Sequence, residues 1–312
     1  MTHRLLALAL LALLSGCGLA QRAAVGLVYR PAPLADALVE RDRAYRPDSL
    51  DAHRLTLVRP DAPPGTDVPT VVFVHGGGWT TGDRETEVGG AEFYTNVGRY
   101  LAGQGIATAV IGYRLQPGAA WTDQVADVAD ALAWTQAHAP DWGGHPTRVA
   151  LMGHSAGAQL AAHVAFDAAV REQAGAAPVC GLISASGAAL DLLDPATWAT
   201  GTRFGYYAQR FSPTREDVAG PPETPDDWQV RASPVTFITP AAPPVLISTA
   251  SGEAGLFKTQ ADALARALDQ SGVPWERVST RALSHALGVP NLSRDDRTIG
   301  PATVAFVRRV CR

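Results

Sequence analysis

The sequence predicts an α/β fold with a mostly parallel central sheet and helices on both of its faces. Short runs of β-branched and aromatic residues recur along the chain, and longer segments with helical patterns separate them. This alternation is typical of parallel sheets, in which each strand is connected to the next through a helix. A chain of 312 residues with 46% hydrophobic residues is also long enough to form one domain with a large core.

The predicted strands differ in how much of their surface is covered. The first, at residues 53–60, alternates apolar and polar residues, which indicates one exposed face. Continuously apolar runs, as expected for strands covered on both faces, follow at residues 70–75, 106–113, 148–154, 179–185 and 244–250. A last strand is predicted at residues 275–282, and helices at residues 91–105, 122–139, 156–170, 259–272 and 303–310.

The first residues of the chain have the pattern of a targeting segment. Arg4 precedes an apolar stretch, residues 5–14, which is too short to span a bilayer but has the length of a signal-peptide core. Leu14-Ser15-Gly16-Cys17 follows and resembles the lipobox of bacterial lipoproteins, in which a lipid is attached to the cysteine and the chain is cut just before it. The alternative is an ordinary signal peptide with a chance cysteine.

The lipobox resemblance implies a division of the chain and a location. It predicts a signal peptide at residues 1–16 and a tether that begins at Cys17. The tether is predicted to run to residue 44, and the globular domain to occupy residues 45–312. A lipid on Cys17 would anchor the exported protein to the cell envelope. Gly18, rather than Asp, follows the cysteine, which by the same resemblance favours the outer membrane if the organism has one.

Charge and histidine spacing narrow the range of partners. Thirty acidic and 26 basic residues give a formal net charge of −4, and Lys258 is the only lysine. Because no basic cluster is present, nucleic acid is not an expected partner. The eight histidines show no metal-ligand spacing, so we expect neither a metal nor another cofactor.

A run of three glycines, His75-Gly76-Gly77-Gly78-Trp79, stands at the end of the strand predicted at residues 70–75. Glycines allow the backbone to approach a ligand closely and to present free N–H groups to it. A flexible turn is the alternative, but a turn needs fewer glycines and leaves the flanking His and Trp unexplained. The run therefore predicts a loop whose backbone approaches a ligand and presents N–H groups to it.

The stretch Gly153-His154-Ser155-Ala156-Gly157 fits the pattern G-x-S-x-G between a predicted strand and a predicted helix. In that setting the pattern is a sharp turn that lifts a serine out of the sheet. A glycine-rich turn with an incidental serine is the alternative. The triple-glycine loop on an earlier strand favours the first interpretation, because the two motifs work together in one type of hydrolase.

A serine hydroxyl needs a base, and the base needs a carboxylate that orients it. His285 follows the last apparent strand and is the candidate base. Glu253 is the one carboxylate in the loop SGEAGLF after the strand at 244–250, and it is the candidate acid. Asp191 and Asp194, after the strand at 179–185, are the alternative acids.

From about Tyr45 onward the chain resembles an esterase group of the α/β-hydrolases. That group includes hormone-sensitive-lipase-like carboxylesterases, feruloyl-esterase-like hydrolases, kynurenine formamidases and isoprenylcysteine methylesterases. The resemblance rests on the segments LDAHRLTLVRP, VVFVHGGGWTTGD, AVIGYRL, QVADVADALAW and MGHSAGAQLAAHVA, in that order. Where the group usually has an Asp as the acid, this chain has Glu253, and a longer carboxylate can do the same work.

The resemblance implies a serine carboxylesterase that hydrolyses short- to medium-chain carboxylic esters. It assigns Ser155, Glu253 and His285 to the catalytic triad, and the backbone N–H groups of Gly77, Gly78 and Ala156 to the oxyanion hole. An arylformamidase is the alternative within the group. A catalytically silent binding module at the envelope is an alternative of a different class.

Two further expectations concern the second half of the chain. Residues 187–240 break the strand–helix alternation and are rich in aromatic residues, so we predict a small cap over the strand ends. A long surface excursion is the alternative. Cys180 opens a strand and Cys311 ends the last helix, so both should lie at the same edge of the sheet, where an exported protein can form a disulfide between them.

Overall fold

A computed structural model describes residues 32–35, 38–63, 65–88, 91–199, 204–212, 227–281, 285, 289 and 298–312. The predicted signal peptide, Cys17 and most of the predicted tether lie outside these residues, as do parts of the predicted cap. Within the described ranges, no helix is long and apolar enough to cross a membrane.

Strands and helices alternate in the order that the sequence predicts. The strands are β1 (Val39–Ala44), β2 (Arg54–Val58), β3 (Val68–Val74), β4 (Glu87–Val88), β5 (Ala91–Glu92), β6 (Ala107–Ile111), β7 (Gly144–His154), β8 (Leu182–Ala185), β9 (Val245–Ala250) and β10 (Trp275–Thr280). The α-helices are α1 (Thr95–Ala102), α2 (Trp121–His138), α3 (Ala156–Phe166), α4 (Ala168–Ala174), α5 (Pro195–Ala199), α6 (Phe204–Phe211), α7 (Asp227–Ala232), α8 (Gly255–Gln270) and α9 (Ile299–Val310). Short 3₁₀ helices lie at Asp51–His53, Ala139–Trp142 and Pro234–Phe237.

Eight of the strands form one sheet, in the order β1-β2-β6-β3-β7-β8-β9-β10. β2 is antiparallel to both of its neighbours, whereas every pair from β6 to β10 is parallel. The predicted mostly parallel sheet is therefore confirmed. Ligands of such sheets bind at the carboxyl ends of the strands, so a ligand site is expected at that edge.

The central strand β3 contributes to a core on each face of the sheet. Val72 and Val74 belong to one cluster, together with residues of α2, α3 and α8. Val71 and Phe73 belong to the other, together with residues of α1 and α9. Successive side chains of a strand point to opposite faces, so a continuously apolar run is what two covered faces require.

The sheet begins before the predicted domain boundary. The predicted start of the domain at residue 45 is too late, because Val39–Ala44 pairs antiparallel with β2 and forms the edge strand β1. The residues of this strand, VERDRA, are exposed or half-buried and mostly charged, so the sequence has no apolar run that would predict a strand there. Charged edge strands of this kind discourage pairing with other chains.

A disulfide joins Cys180, just before β8, to Cys311 at the end of α9. The two Cα atoms are 5.1 Å apart, and the closed segment spans a sequence separation of 131. Both cysteines lie at the edge of the sheet opposite the carboxyl ends of the strands, as the sequence predicts. The bond fixes the end of the last helix to the chain just before β8.

The region predicted as a cap contains α5, α6, α7 and a 3₁₀ helix, while residues 200–203 and 213–226 lie outside the described part. Two aromatic side chains of α6 pack edge-on against Trp79 in the loop after β3. The ring centroids of Tyr207 and Phe211 are 6.1 and 4.9 Å from that of Trp79. The described part of the insertion therefore lies beside the triple-glycine loop.

Candidate active site

Ser155 stands on a sharp turn between β7 and α3. Its backbone has φ 56° and ψ −120°, a conformation that residues other than glycine rarely adopt. Its N–H donates to the carbonyl of Ala185 on the neighbouring strand at 3.0 Å. The turn therefore points the serine away from the sheet at its carboxyl edge, as the motif predicts.

Three glycines make this turn possible because each one touches other backbone. A Cβ at Gly157 would overlap the carbonyl oxygens of Val74 and His75, and a Cβ at Gly153 would overlap the carbonyl of Gly157. A Cβ at Gly76 would lie 3.2 Å from the Cβ of Ser155. β3, β7 and α3 therefore meet at closer range than any side chain would allow, and Gly76 lies directly against the serine.

The triple-glycine loop bends back on itself after β3. Gly77 and Gly78 both have positive φ, at 131° and 61°, and the carbonyl of Gly77 accepts hydrogen bonds from the N–H and hydroxyl of Thr81. In the described part of the chain, no protein group accepts a hydrogen bond from the N–H of Gly77, Gly78 or Ala156. These three donors are available to a ligand, as an oxyanion hole requires.

His75 supports the base of the loop. Its Nδ1 donates to the carbonyl of Gly76 at 2.7 Å, and its ring stacks on that of Tyr113 at 4.2 Å. The Tyr113 hydroxyl in turn donates to the carbonyl of His75 at 2.9 Å. Burial lowers the pKa of His75 to about 4, so it is a neutral hydrogen-bond donor rather than a cation.

The structure brings His285 to Glu253, as the sequence predicts. The Nδ1 of His285 lies 3.5 Å from a carboxylate oxygen of Glu253, whose side chain is fully buried. The two atoms are within ion-pair distance but do not form a hydrogen bond, and neither atom has a hydrogen-bond partner within the described residues. Phe257, in the first turn of α8, stacks on the imidazole with ring centroids 3.7 Å apart.

His154, next to Ser155 in the chain, contacts the candidate base His285. Its Nε2 donates to the carbonyl of His285 at 3.2 Å, and the two rings stack at 4.8 Å. Burial is the main cause that lowers the pKa of His154 to about 3, and the adjacent His285 lowers it further. Between the described residues Ser155 and His285 themselves no hydrogen bond is formed, and catalytic hydrogen bonds often tighten only when substrate binds.

The alternative acids are engaged in local structure. Asp191 accepts hydrogen bonds from the N–H groups of Leu193 and Asp194, at 2.8 and 3.1 Å. Asp194 forms an ion pair with Arg266 of α8. The geometry therefore favours Glu253 as the partner of His285.

Sequence reasoning did not identify His154, Phe257 or Arg210 as parts of the site. Arg210, on α6, donates from Nε to the carbonyl of Gly78 at 3.2 Å. His154 is visible in the motif, but only its contact with His285 reveals a role. Nothing in the sequence pattern signals Phe257 or Arg210, since both reach the site through tertiary packing.

A family model matches the part of the chain that contains most of the candidate site. The family model described as BD-FAE matches residues 56–268, more than half of the chain. The chain belongs to the BD-FAE family. The matched range of this BD-FAE protein includes the triple-glycine loop, Ser155 and Glu253, and it ends before His285.

Curated relatives of this BD-FAE protein are described as ester hydrolases. A probable carboxylic ester hydrolase, LipM of Mycobacterium tuberculosis, is 32% identical over 45% of this chain and 33% of its own length. A probable isoprenylcysteine alpha-carbonyl methylesterase of Oryza sativa subsp. japonica is 36% identical over 34% of this chain and 24% of its own length. The matches thus span a third or less of each relative.

Solved structures share the fold over nearly the whole chain. A truncated carbohydrate esterase from gut microbiota has a TM-score of 0.71 at 18% identity, covering 90% of this chain and 99% of its own. Esterase B from Lactobacillus Rhamnosis has a TM-score of 0.70 at 21% identity, covering 99% of this chain and 95% of its own. These similarities establish the α/β-hydrolase fold of this BD-FAE protein.

Proposed function

We propose that this protein is a serine carboxylesterase that hydrolyses short- to medium-chain carboxylic esters through an acyl-enzyme intermediate. The observation that carries the proposal is a single strand edge that holds a serine on a strained turn, His285 at 3.5 Å from the buried carboxylate of Glu253, and three backbone N–H groups that have no protein acceptor among the described residues. Membership of the BD-FAE family and the ester hydrolases among the relatives support it.

The first half of the reaction forms the acyl-enzyme. His285 takes the proton of Ser155 as the serine oxygen attacks the ester carbonyl, and Glu253 orients the imidazole and stabilises its positive charge. The N–H groups of Gly77, Gly78 and Ala156 stabilise the negative oxygen of the tetrahedral intermediate. His285 then gives its proton to the departing alcohol.

The second half of the reaction uses the same groups in reverse. His285 takes a proton from water, the hydroxide attacks the acyl carbon, and the acid leaves as Ser155 regains its proton. The neutral state of His154 matters in both halves. A second cation stacked at 4.8 Å would oppose the imidazolium that forms on His285.

Hydrolysis of p-nitrophenyl esters, from acetate to palmitate, tests the proposal. We expect turnover that is highest for the shorter acyl chains, with a burst of nitrophenol if deacylation is the slower half. The Ser155→Ala variant should lose at least about 10⁴-fold in kcat, since the covalent route is then closed. It should also lose covalent labelling by a fluorophosphonate.

Two results would contradict the proposal. A folded wild-type protein that fails to react with a fluorophosphonate would indicate a silent binding module. Turnover of N-formylkynurenine that far exceeds turnover of every ester would indicate an arylformamidase.

We also propose that the exported protein is anchored to the cell envelope by a lipid on Cys17. The proposal rests on the apolar segment and the Leu14-Ser15-Gly16-Cys17 sequence that follows it. Incorporation of labelled palmitate into the wild type, and its loss together with membrane association in Cys17→Ala, is the expected result. Wild-type protein that is processed without lipid would disprove it.

A further inference from the structure

The loop that carries the proposed oxyanion donors contains two successive left-handed residues. Gly78 has φ 61° and Trp79 has φ 65°. A tryptophan in this region of backbone space is strained, and it persists only where surrounding contacts determine it. The loop therefore needs support from outside its own backbone.

Arg210 of α6 supplies one such support. Its Nε donates to the Gly78 carbonyl at 3.2 Å, and its Nη1 donates to the Tyr206 carbonyl at 2.9 Å. The guanidinium also lies 3.5 Å from the centroid of the Tyr206 ring. In the described residues no carboxylate lies within ion-pair distance of Arg210, so its polar contacts are with backbone carbonyls and not with an acid.

Tyr206 confines the same glycine from the other direction. A Cβ at Gly78 would lie 2.6 Å from the Tyr206 hydroxyl. The space beside Gly78 is therefore occupied, and the Tyr206 ring is at the same time the surface on which Arg210 stacks. Tyr206 and Arg210 hold Gly78 as a pair.

Trp79 is tied to the insertion by two glutamines. The backbone N–H of Gln116 donates to the Trp79 carbonyl at 2.9 Å, and its side chain donates to the Arg210 carbonyl at 3.1 Å. Gln159 accepts from the Trp79 indole at 3.1 Å and donates to the carbonyl of Ala232, also at 3.1 Å. The glycine loop and the insertion thus share one hydrogen-bond network.

We propose that Arg210 is a positioning residue for the oxyanion hole. The hydrogen bond from Arg210 fixes the peptide between Gly78 and Trp79, while the hydrogen bonds from Thr81 to the Gly77 carbonyl hold the preceding peptide, which carries the Gly78 N–H. Gly78 joins the two peptides and has no side chain to limit rotation between them. Arg210 therefore supplies, on the C-terminal side, the restraint that keeps this donor in place. The inference rests on the proposed esterase function and adds that the insertion is a part of the catalytic machinery.

Three variants test this role on p-nitrophenyl butyrate. Arg210→Met removes the hydrogen bonds and keeps much of the apolar stem, while Arg210→Lys keeps the charge but loses the planar group that stacks and donates in fixed directions. Arg277→Met is the matched control. Arg277 lies on β10, and its exposed side chain bonds to Asp262 of α8 at 2.7 Å, so the same substitution is made at an arginine that, within the described residues, has no contact with the glycine loop. Thermal unfolding of each variant shows whether the fold is retained.

We expect a loss in kcat with little change in KM. Misdirecting one oxyanion donor should lower kcat by about 30- to 100-fold, somewhat less than deleting one, and KM should stay within about threefold. The affinity for a trifluoromethyl ketone, which forms a tetrahedral oxyanion on Ser155, should weaken in proportion to kcat/KM. Arg210→Lys should not restore kcat, and Arg277→Met should match the wild type.

Several results would overturn the inference. Arg210→Met with wild-type kcat, or Arg210→Lys with full recovery, would show that the bonding geometry is not needed. Tyr206→Phe with the same loss as Arg210→Met would place the function in the phenol group instead. If Arg210→Met does not fold, Arg210→Gln is judged by the same criteria. Failure of the proposed function would differ from all of these, because the wild type itself would then be inactive on esters.

Discussion

The serine and the proposed base are held by different kinds of contact. Ser155 is fixed by backbone: its own N–H bonds to Ala185, and Gly157 and Gly76 bring β3 and α3 against it. The contacts described for His285 come from side chains instead, namely those of His154, Glu253 and Phe257. The proposed nucleophile is thus part of the fold, whereas the proposed base depends on individual residues that can be replaced one at a time.

The largest effect is expected where backbone atoms pack closely around the Ser155 turn. Gly157→Ala would drive a methyl group into the carbonyl oxygens of Val74 and His75, which are main-chain atoms of the central sheet and its loop. We expect a loss of about 3 kcal/mol or more in the free energy of unfolding, measured with urea. Gly255→Ala is the control, since nothing lies within 4 Å of its added Cβ, and it should change stability by less than about 0.5 kcal/mol. Equal stability of the two variants would refute the close packing.

A smaller effect is expected at His154, which is adjacent to Ser155 in the chain and also contacts His285. His154→Ala removes the hydrogen bond to the His285 carbonyl and the stacked ring, so we expect kcat/KM to fall about tenfold. His154→Gln keeps a donor at a similar reach and should remain within about threefold of the wild type. An alanine variant that is as active as the glutamine variant would mean that the bond does not position the base.

Acid is expected to lower the free energy of unfolding, because the region around Ser155 contains buried histidines. His163, on α3, is buried, and burial lowers its pKa from 6.5 to about 4. Between these two values the unfolded chain binds a proton that the native chain does not, so the free energy of unfolding falls as the pH falls from about 6.5 towards 4. Above pH 6.5 both states are neutral and the effect is absent.

Urea titrations between pH 4.5 and pH 7 measure this slope. His163→Gln should reduce it by up to one proton, or about 1.4 kcal/mol per pH unit. His145→Gln is the matched control, because it makes the same substitution at a histidine that is exposed to solvent. An unchanged slope in His163→Gln would show that His163 takes up its proton without unfolding.

The smallest effect is expected at Phe257. Its ring faces the imidazole at 3.7 Å, and an aromatic face stabilises a cation by about 0.5–1 kcal/mol. Phe257→Leu should therefore lower kcat about two- to fivefold, while Phe257→Tyr keeps the face and should stay near the wild type. Equal rates for both variants would reduce Phe257 to a packing residue.

The sequence was sufficient for the parts of the molecule that depend on backbone patterns. Apolar runs located the covered strands, and glycine spacing located the turn at Ser155 and the loop at Gly76–Gly78, because close backbone approach requires glycine. The edge strand Val39–Ala44 was missed, since exposed positions carry no apolar pattern. The contacts of Arg210 and Phe257 were missed for a related reason: they depend on how distant segments pack, and local spacing carries no record of that.

The bond between Cys180 and Cys311 has a consequence for how the protein withstands proteolysis. Glu253, His285 and the whole insertion lie between the two cysteines in sequence, while Ser155 precedes both. A single cut anywhere in that interval would leave the two fragments as one covalent molecule. A nicked protein should therefore migrate as one band without reductant and as two bands with it, and Glu253 and His285 would stay covalently attached to the part of the chain that bears Ser155.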